Sequence, residues 1–217
     1  MKKKWSIFVY FVLLLILGIS CNTSTTPTVT PKSSINWWTL WLDHPVCKAP
    51  CWMNITPGVM SMSEAVSILE NKPEVIITHK SKLGVSWRFD QNKTDSGDMR
   101  QSGDGNVSSI WLGNSREEAL HFETIVTEYG YPSFVELYDC REGICSTILV
   151  YSDVGLLVDV ALEDNNPAVI ETSQVNIQPN IVVSGVYFIS PGLENFKKIP
   201  EFQEQDLLEW KGYGEYP

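Results

Sequence analysis

Asp43–Trp52, DHPVCKAPCW, sets His44 near Cys47 and Cys51, and three chemistries compete for these side chains. Two thiols this close can close a disulfide. A histidine with two cysteines can supply three of the four ligands that zinc needs. A thiolate beside an imidazole can act as a nucleophile with its base. The spacing is irregular for zinc and offers no obvious fourth ligand, and in an oxidising compartment a neighbouring thiol consumes a nucleophilic one. A disulfide is therefore expected between Cys47 and Cys51, and proximity favours a second between Cys140 and Cys145. Such short loops contribute about 2 kcal/mol of chain entropy apiece. Pro50 pre-bends the first loop, and Gly143 suits a hairpin tip within the second.

Other reactive groupings are sparse. The sequence contains no G-x-S-x-G, S-x-x-K, H-E-x-x-H, G-x-G-x-x-G or P-loop pattern. Beyond His44, His79 falls at a strand end and His121 on a helix, both suited to structural or surface roles. Glu136 and Asp139 could meet other acids and serve a carboxylate-dependent hydrolase of extracellular glycans, although solvated charges on a strand or turn are the favoured reading. Asp90, Asn92, Asp95, Asp98, Asp104 and Asn106 offer oxygen donors in one polar stretch. Their spacing departs from a calcium loop and the closing glutamate is missing, so a plain hairpin loop is expected and no metal or cofactor. Trp37, Trp38, Trp41 and Trp52 are candidate binding aromatics, at a membrane interface or on a partner-binding patch. Filling the core beneath the Cys47–Cys51 clip is the favoured alternative.

The oxidising compartment is inferred from the N-terminus. Lys2, Lys3 and Lys4 precede Ile7–Ile19, 13 uncharged, largely apolar residues. At ~1.5 Å per residue this is too short for the ~30 Å hydrocarbon core and suits a signal segment. Gly18, Ile19 and Ser20 then lead into Cys21, which resembles the lipobox of bacterial lipoproteins, with Leu17 one step earlier than the usual leucine. The resemblance implies a signal peptide over 1–20 and diacylation of Cys21 as the mature N-terminus. Each buried CH₂ contributes ~0.8 kcal/mol, so such a residue holds the chain to the outer side of the cell membrane. Residues 21–36, rich in Ser, Thr and Pro, read as a flexible tether.

The formal net charge is −10, from 16 basic and 26 acidic residues, and loss of Lys2, Lys3 and Lys4 takes it to −13. A chain this acidic repels nucleic acid and anionic lipid, so the expected partners are its lipid anchor's membrane and another protein. Eight tryptophans and eight tyrosines supply side chains for a core or a binding face.

Two amphipathic stretches position the rest. Ser61 and Glu64 have capping-box spacing ahead of Met62, Ala65, Val66 and Leu69, and Pro73 stops the helix. Ser115 and Glu118 repeat the box before Ala119, Phe122, Val126 and Tyr129, with Gly130 and Pro132 as the stop. Strands are expected at Val75–Thr78, GVSWRFD and NVSSIWL after the first helix, with Gln91–Asn106 a loop. After the second come SFVELYD, STILVYS and GLLVDVAL as a meander, then a pair formed by AVIETSQVNI and NIVVSGVYFIS, then an irregular tail. The fold class is α+β, with units at 37–112 and 113–217 that a duplication could relate.

The succession of glycine, helix, Gly-x-Pro and meander behind a lipidated cysteine is similar to small outer-membrane-assembly lipoproteins of the SmpA/OmlA type and to the tandem repeats of β-lactamase inhibitor proteins. Pro50–Trp52, Ile55–Gly58 and Trp210–Gly214 (PCW, ITPG, W-x-G-Y-G) resemble a family of uncharacterised bacterial lipoproteins, which implies no activity. The expected function is a lipid-anchored, non-enzymatic protein-interaction module. A glycan hydrolase, or a binder or inhibitor of an extracellular enzyme or small ligand, stands as the alternative.

Overall fold

Val85, Trp87 and Phe89 alternate with Ser86 and Arg88, and in strand β2 (Gly84–Phe89) the first three are buried. Period-2 burial of this kind makes a sheet with one face on a core. The structure is a computed structural model that describes residues 37–42, 47–90, 95–113, 119–137, 145–162, 175–199 and 207–216. All of them lie within one compact unit, Ser34–Pro217.

β1 (Val75–Lys80), β2, β3 (Ser96–Gln101) and β4 (Val107–Gly113) form one antiparallel meander. β6 (Phe134–Leu137), β7 (Cys145–Tyr151) and β8 (Leu156–Leu162) form another. β10 (Val182–Ile189) joins the two, pairing with β4 on one side and β8 on the other, while β11 (Leu207–Glu209) adds to β6. The short strand β5 (Leu120–His121) also pairs with β10, and β9 (Val175–Ile177) pairs with β12 (Gly214–Tyr216) in a separate ribbon. The architecture is mainly antiparallel sheet with few helices. Both stretches expected on either side of residue 112 contribute to a single sheet, because β4 itself runs across that position and meets β10.

One face carries the main core, where α1 (Thr39–Leu42), α2 (Met62–Glu70) and α3 (Phe122–Tyr129) bring Trp41, Ala65, Leu69, Phe122 and Ile125 to Trp87, Leu112 and Phe188. The Ser61 hydroxyl accepts from the Glu64 amide at 3.3 Å and the Glu64 carboxylate accepts from the Ser61 amide at 3.2 Å, completing the expected capping box. On the opposite face, Phe196 of α4 (Leu193–Phe196) and Ile199 pack on Ile148, Val150, Leu157 and Ile189. Among the described residues no helix is long and apolar enough to cross a membrane.

Four local expectations are corrected. The stretch Gln91–Asn106 contains β3, whose core side offers only Gly97 and Met99. Gly97 lies under the Trp87 ring, where a Cβ would stand 2.2 Å from Cζ2, so the bulk that signals a strand is supplied by its neighbour. The second helix starts at Phe122, with His121 as its N-cap and no side-chain cap bond. Leu120 and His121 are drawn into pairing with β10; Ser115 and Glu118 lie outside the described residues. β9 does not pair with β10, since β4 and β8 already occupy both edges of β10. The described residues of the C-terminal tail include two strands, β11 and β12.

Candidate binding surface

Cys47 and Cys51 form a disulfide. Their loop carries Lys48, whose Nζ lies 3.0 Å from Glu128 Oε1 on α3. Trp37, Trp41 and Trp52 are 0%, 2% and 1% exposed, and half-buried Trp38 packs on the same core. Trp52 stacks on Trp87 at 5.5 Å and 13°, and Trp41 Nε1 donates to the Tyr129 hydroxyl at 3.0 Å. These four tryptophans therefore line the core and do not make a surface patch. Cys21, His44, Asp139 and Cys140 lie outside the described residues. Cys145 opens β7 opposite Leu162, and its expected bond to Cys140 falls outside as well.

The other polar candidates are dispersed. His79 is exposed on β1, whereas the His121 ring nitrogen Nδ1 is 2.9 Å from the Asn180 carbonyl. Asp95 is buried, Asp98 accepts from the Ser86 hydroxyl at 2.8 Å, and Asp104 accepts from Ser102 and from the Asn106 amide within its own turn. Among the described residues no three His, Cys, Asp or Glu side chains converge as metal ligands. Glu136 is buried opposite Ile148, which on its other side faces Asp159. Ile148, packed with Val150, Leu157 and Phe196, stands between the two acids. Burial pushes the Asp159 carboxyl up to about 6, against a smaller opposing pull from the Ser184 hydroxyl. A cleft of about 320 Å³ on the α4 side gathers Arg100 and Lys198, with Asp104 offsetting part of their charge.

A different group of side chains comes together where α3 ends. Tyr131 follows the helix-terminating Gly130, and Trp210 leaves β11 with its backbone amide donating to the Ser133 carbonyl at 3.1 Å. From there the chain loops into β12. The Tyr216 hydroxyl accepts from the Lys211 amide at 2.9 Å and donates to the Gly212 carbonyl at 2.8 Å, tying the loop at both ends. Gly212 and Gly214 hold φ of 102° and 133°, which a residue with a Cβ adopts only under strain. Tyr131 stacks on Trp210 at 6.1 Å and 21°, and Trp210 on Tyr216 at 5.9 Å and 25°. Tyr213 meets Tyr131 and Trp210 edge-on at 6.0 and 5.7 Å, and buried Phe122 supports both Trp210 and Tyr213 at 5.9 Å. These are favoured aromatic geometries, each contributing roughly 0.5–1.5 kcal/mol beyond burial.

The assembly is nevertheless open to water. Tyr131 is 61% and Tyr213 37% exposed, two of the four exposed large hydrophobics among the described residues. The Tyr213 hydroxyl is raised above the usual phenol range, first by burial and then by Tyr131 and the nearby Glu123 carboxylate. Glu123, in the first turn of α3, also lines a groove of about 420 Å³ with Leu42, Thr124, Thr127 and Glu128. A locked loop thus presents aromatic rings beside an acidic groove. W-x-G-Y-G marked this segment in the sequence, but only as a family signature. The available signal was the coincidence of two glycines with Trp210, Tyr213 and Tyr216 after a polar stretch.

No family model, curated protein or solved structure matches the chain.

Proposed function

We propose that this protein works by contact, as a lipid-anchored module on the outer side of the cell membrane that binds another protein through Tyr131, Trp210 and Tyr213. The observation that carries this is the exposure of rings held in one arrangement by Phe122, Tyr216 and the Lys211–Gly212 hydrogen bonds. Binding hot spots are enriched in Trp and Tyr, and a prearranged ring loses little conformational entropy when a partner covers it. The Cys47–Cys51 bond supports an oxidising location, and Cys21 behind a short apolar segment supports the anchor.

The test is capture of the full chain from its native membrane, followed by mass spectrometry, in parallel with a Tyr131→Ala/Tyr213→Ala variant. Acyl mass on Cys21 and a co-captured protein that the variant loses are the expected results. Recovery of identical proteins by both chains, with both equally folded, would overturn the surface. An unmodified Cys21 would overturn the anchor.

A further inference from the structure

We propose that the cleft on the α4 side binds a phosphate group, free or carried as a monoester by a small polar molecule. The site uses none of the exposed rings and goes beyond the protein-contact reading.

Sheet register builds its floor. Arg100 of β3, Ser109 of β4 and Ile189 of β10 stand opposite one another across the three strands, and all three line the cleft. Residues paired across strands share a face of the sheet, so this row turns towards the cleft together. β3 and β4 shift register next to Arg100, leaving Ser108 as the extra residue of a bulge, a device that re-aims side chains beside sites. Ser108 commits its hydroxyl proton to the Arg100 carbonyl at 3.1 Å. Ser109 does not: it is only 7% exposed, and its hydroxyl has no hydrogen-bond partner among the described residues. A buried polar group is costly to leave unpaired, and one that lines a cleft is available to a ligand.

Lys198, two residues past α4, supplies another wall. Its Nζ donates to Asn195 Oδ1 at 3.0 Å, and Asn195 is itself held by donating to the Pro191 carbonyl at 2.8 Å. The ammonium is thereby positioned with two N–H groups left over, and it has no acid partner among the described residues. Arg100 adds a second positive charge, shared with Asp98 at 3.6 Å. Asp104 also lines the cleft, but its carboxylate already accepts from the Ser102 hydroxyl and from the Asn106 amide and side chain at 3.1 and 3.2 Å.

Donors reaching in from both the sheet and the α4 side suit a tetrahedral oxyanion, whereas the acceptor sites of a carboxylate lie in one plane. No aromatic side chain is among the described lining residues, so a nucleobase or sugar ring finds nothing to stack on. The volume, about 320 Å³, falls at the small end of ligand sites and suits a phosphate with a short substituent. The net charge of −10 does not forbid this, because at physiological salt charges beyond ~8 Å are largely screened and the nearby cations decide.

Isothermal titration calorimetry of the full chain in maltoside micelles tests the site with inorganic phosphate, glycerol 3-phosphate, acetate and glycerol. At least one phosphate ligand should bind about tenfold or more tighter than acetate, weaken with salt, and leave glycerol without a signal. Inorganic phosphate binding as well as the ester assigns the free anion, and a preference for the ester assigns the monoester; either upholds the site. Ser109→Ala and Lys198→Gln should each loosen binding by about tenfold. Ser109→Ala should do so without lowering the urea midpoint, since it removes no hydrogen bond within the chain, and exposed Lys198 is replaceable without loss of fold. No phosphate binding at millimolar concentration, acetate binding equally well, or indifference to both substitutions overturns the assignment.

Discussion

Replacing Asp159 by asparagine should make the protein more stable at neutral pH and leave it nearly unchanged in acid. Asp159 sits on β8 between Ile148 of β7 and Gly185 of β10, and its Oδ1 has no hydrogen-bond partner among the described residues. Its carboxyl titrates at about 6 in the fold against an ordinary 3.8, with burial as the main cause. The folded chain therefore holds this proton more tightly than the unfolded chain. The group's contribution to stability is fully present below pH ~4 and lost as the pH rises to ~6 and above. A shift of about two units, at ~1.4 kcal/mol each, makes the loss about 3 kcal/mol. Asparagine cannot ionise, so the difference between variant and wild type should grow by that amount between pH 4 and pH 7.5. For a domain of this size it corresponds to roughly 6–12 °C in Tm. Urea unfolding followed by tryptophan fluorescence at several pH values measures it. A fixed offset from the new amide cancels between pH values, so only the slope matters. A difference that is the same at pH 4 and pH 7.5, or that shrinks, would refute the assignment of a buried, charge-penalised carboxyl.

Other perturbations test the scaffold. Gly97→Ala should cost about 1–3 kcal/mol or more in urea unfolding, because the added Cβ would meet the buried Trp87 ring at 2.2 Å. Ser61→Ala should cost about 1 kcal/mol through loss of the capping box, with a matching fall in denaturation midpoint. Cys47→Ser/Cys51→Ser should cost about 2 kcal/mol, and dithiothreitol should then destabilise wild type more than the variant. Tyr131→Ala should cost about 1–3 kcal/mol in urea unfolding, through loss of its ring contacts with Trp210 and Tyr213; a larger loss would mean that it serves packing more than contact.

Where a segment stated its own periodicity, the sequence could be read directly. Ser61 with Glu64, and Val85 with Trp87 and Phe89, announce a helix start and a half-buried strand through local chemistry alone. β3 was hidden because its evidence lies in another strand: Gly97 and Met99 make a core face only once Trp87 covers the glycine. β11 and β12 were hidden for a similar reason, each being three residues long and meaningful only beside β6 and β9. The tryptophans near residue 40 allowed either a surface patch or, as favoured, a place in the core, and α1 turns Trp41 against Tyr129 and Phe188. The exposed rings, Tyr131 and Tyr213, lay instead on two segments that come together through the pairing of β6 with β11 and the Trp210–Ser133 hydrogen bond. No local pattern encodes that meeting.

The place of β10 has a consequence for how the chain must be made. Synthesis from the N-terminus delivers β1 to β4 early, yet the outer rim of β4 has no mate until Val182–Ile189 arrives. During that interval an uncapped ladder of amide and carbonyl groups faces whatever else is passing, a standing invitation to pair wrongly with a neighbouring nascent chain. Closure is then a single late event that zips two preformed ribbons together, and its long sequence span should make it the slow step of maturation.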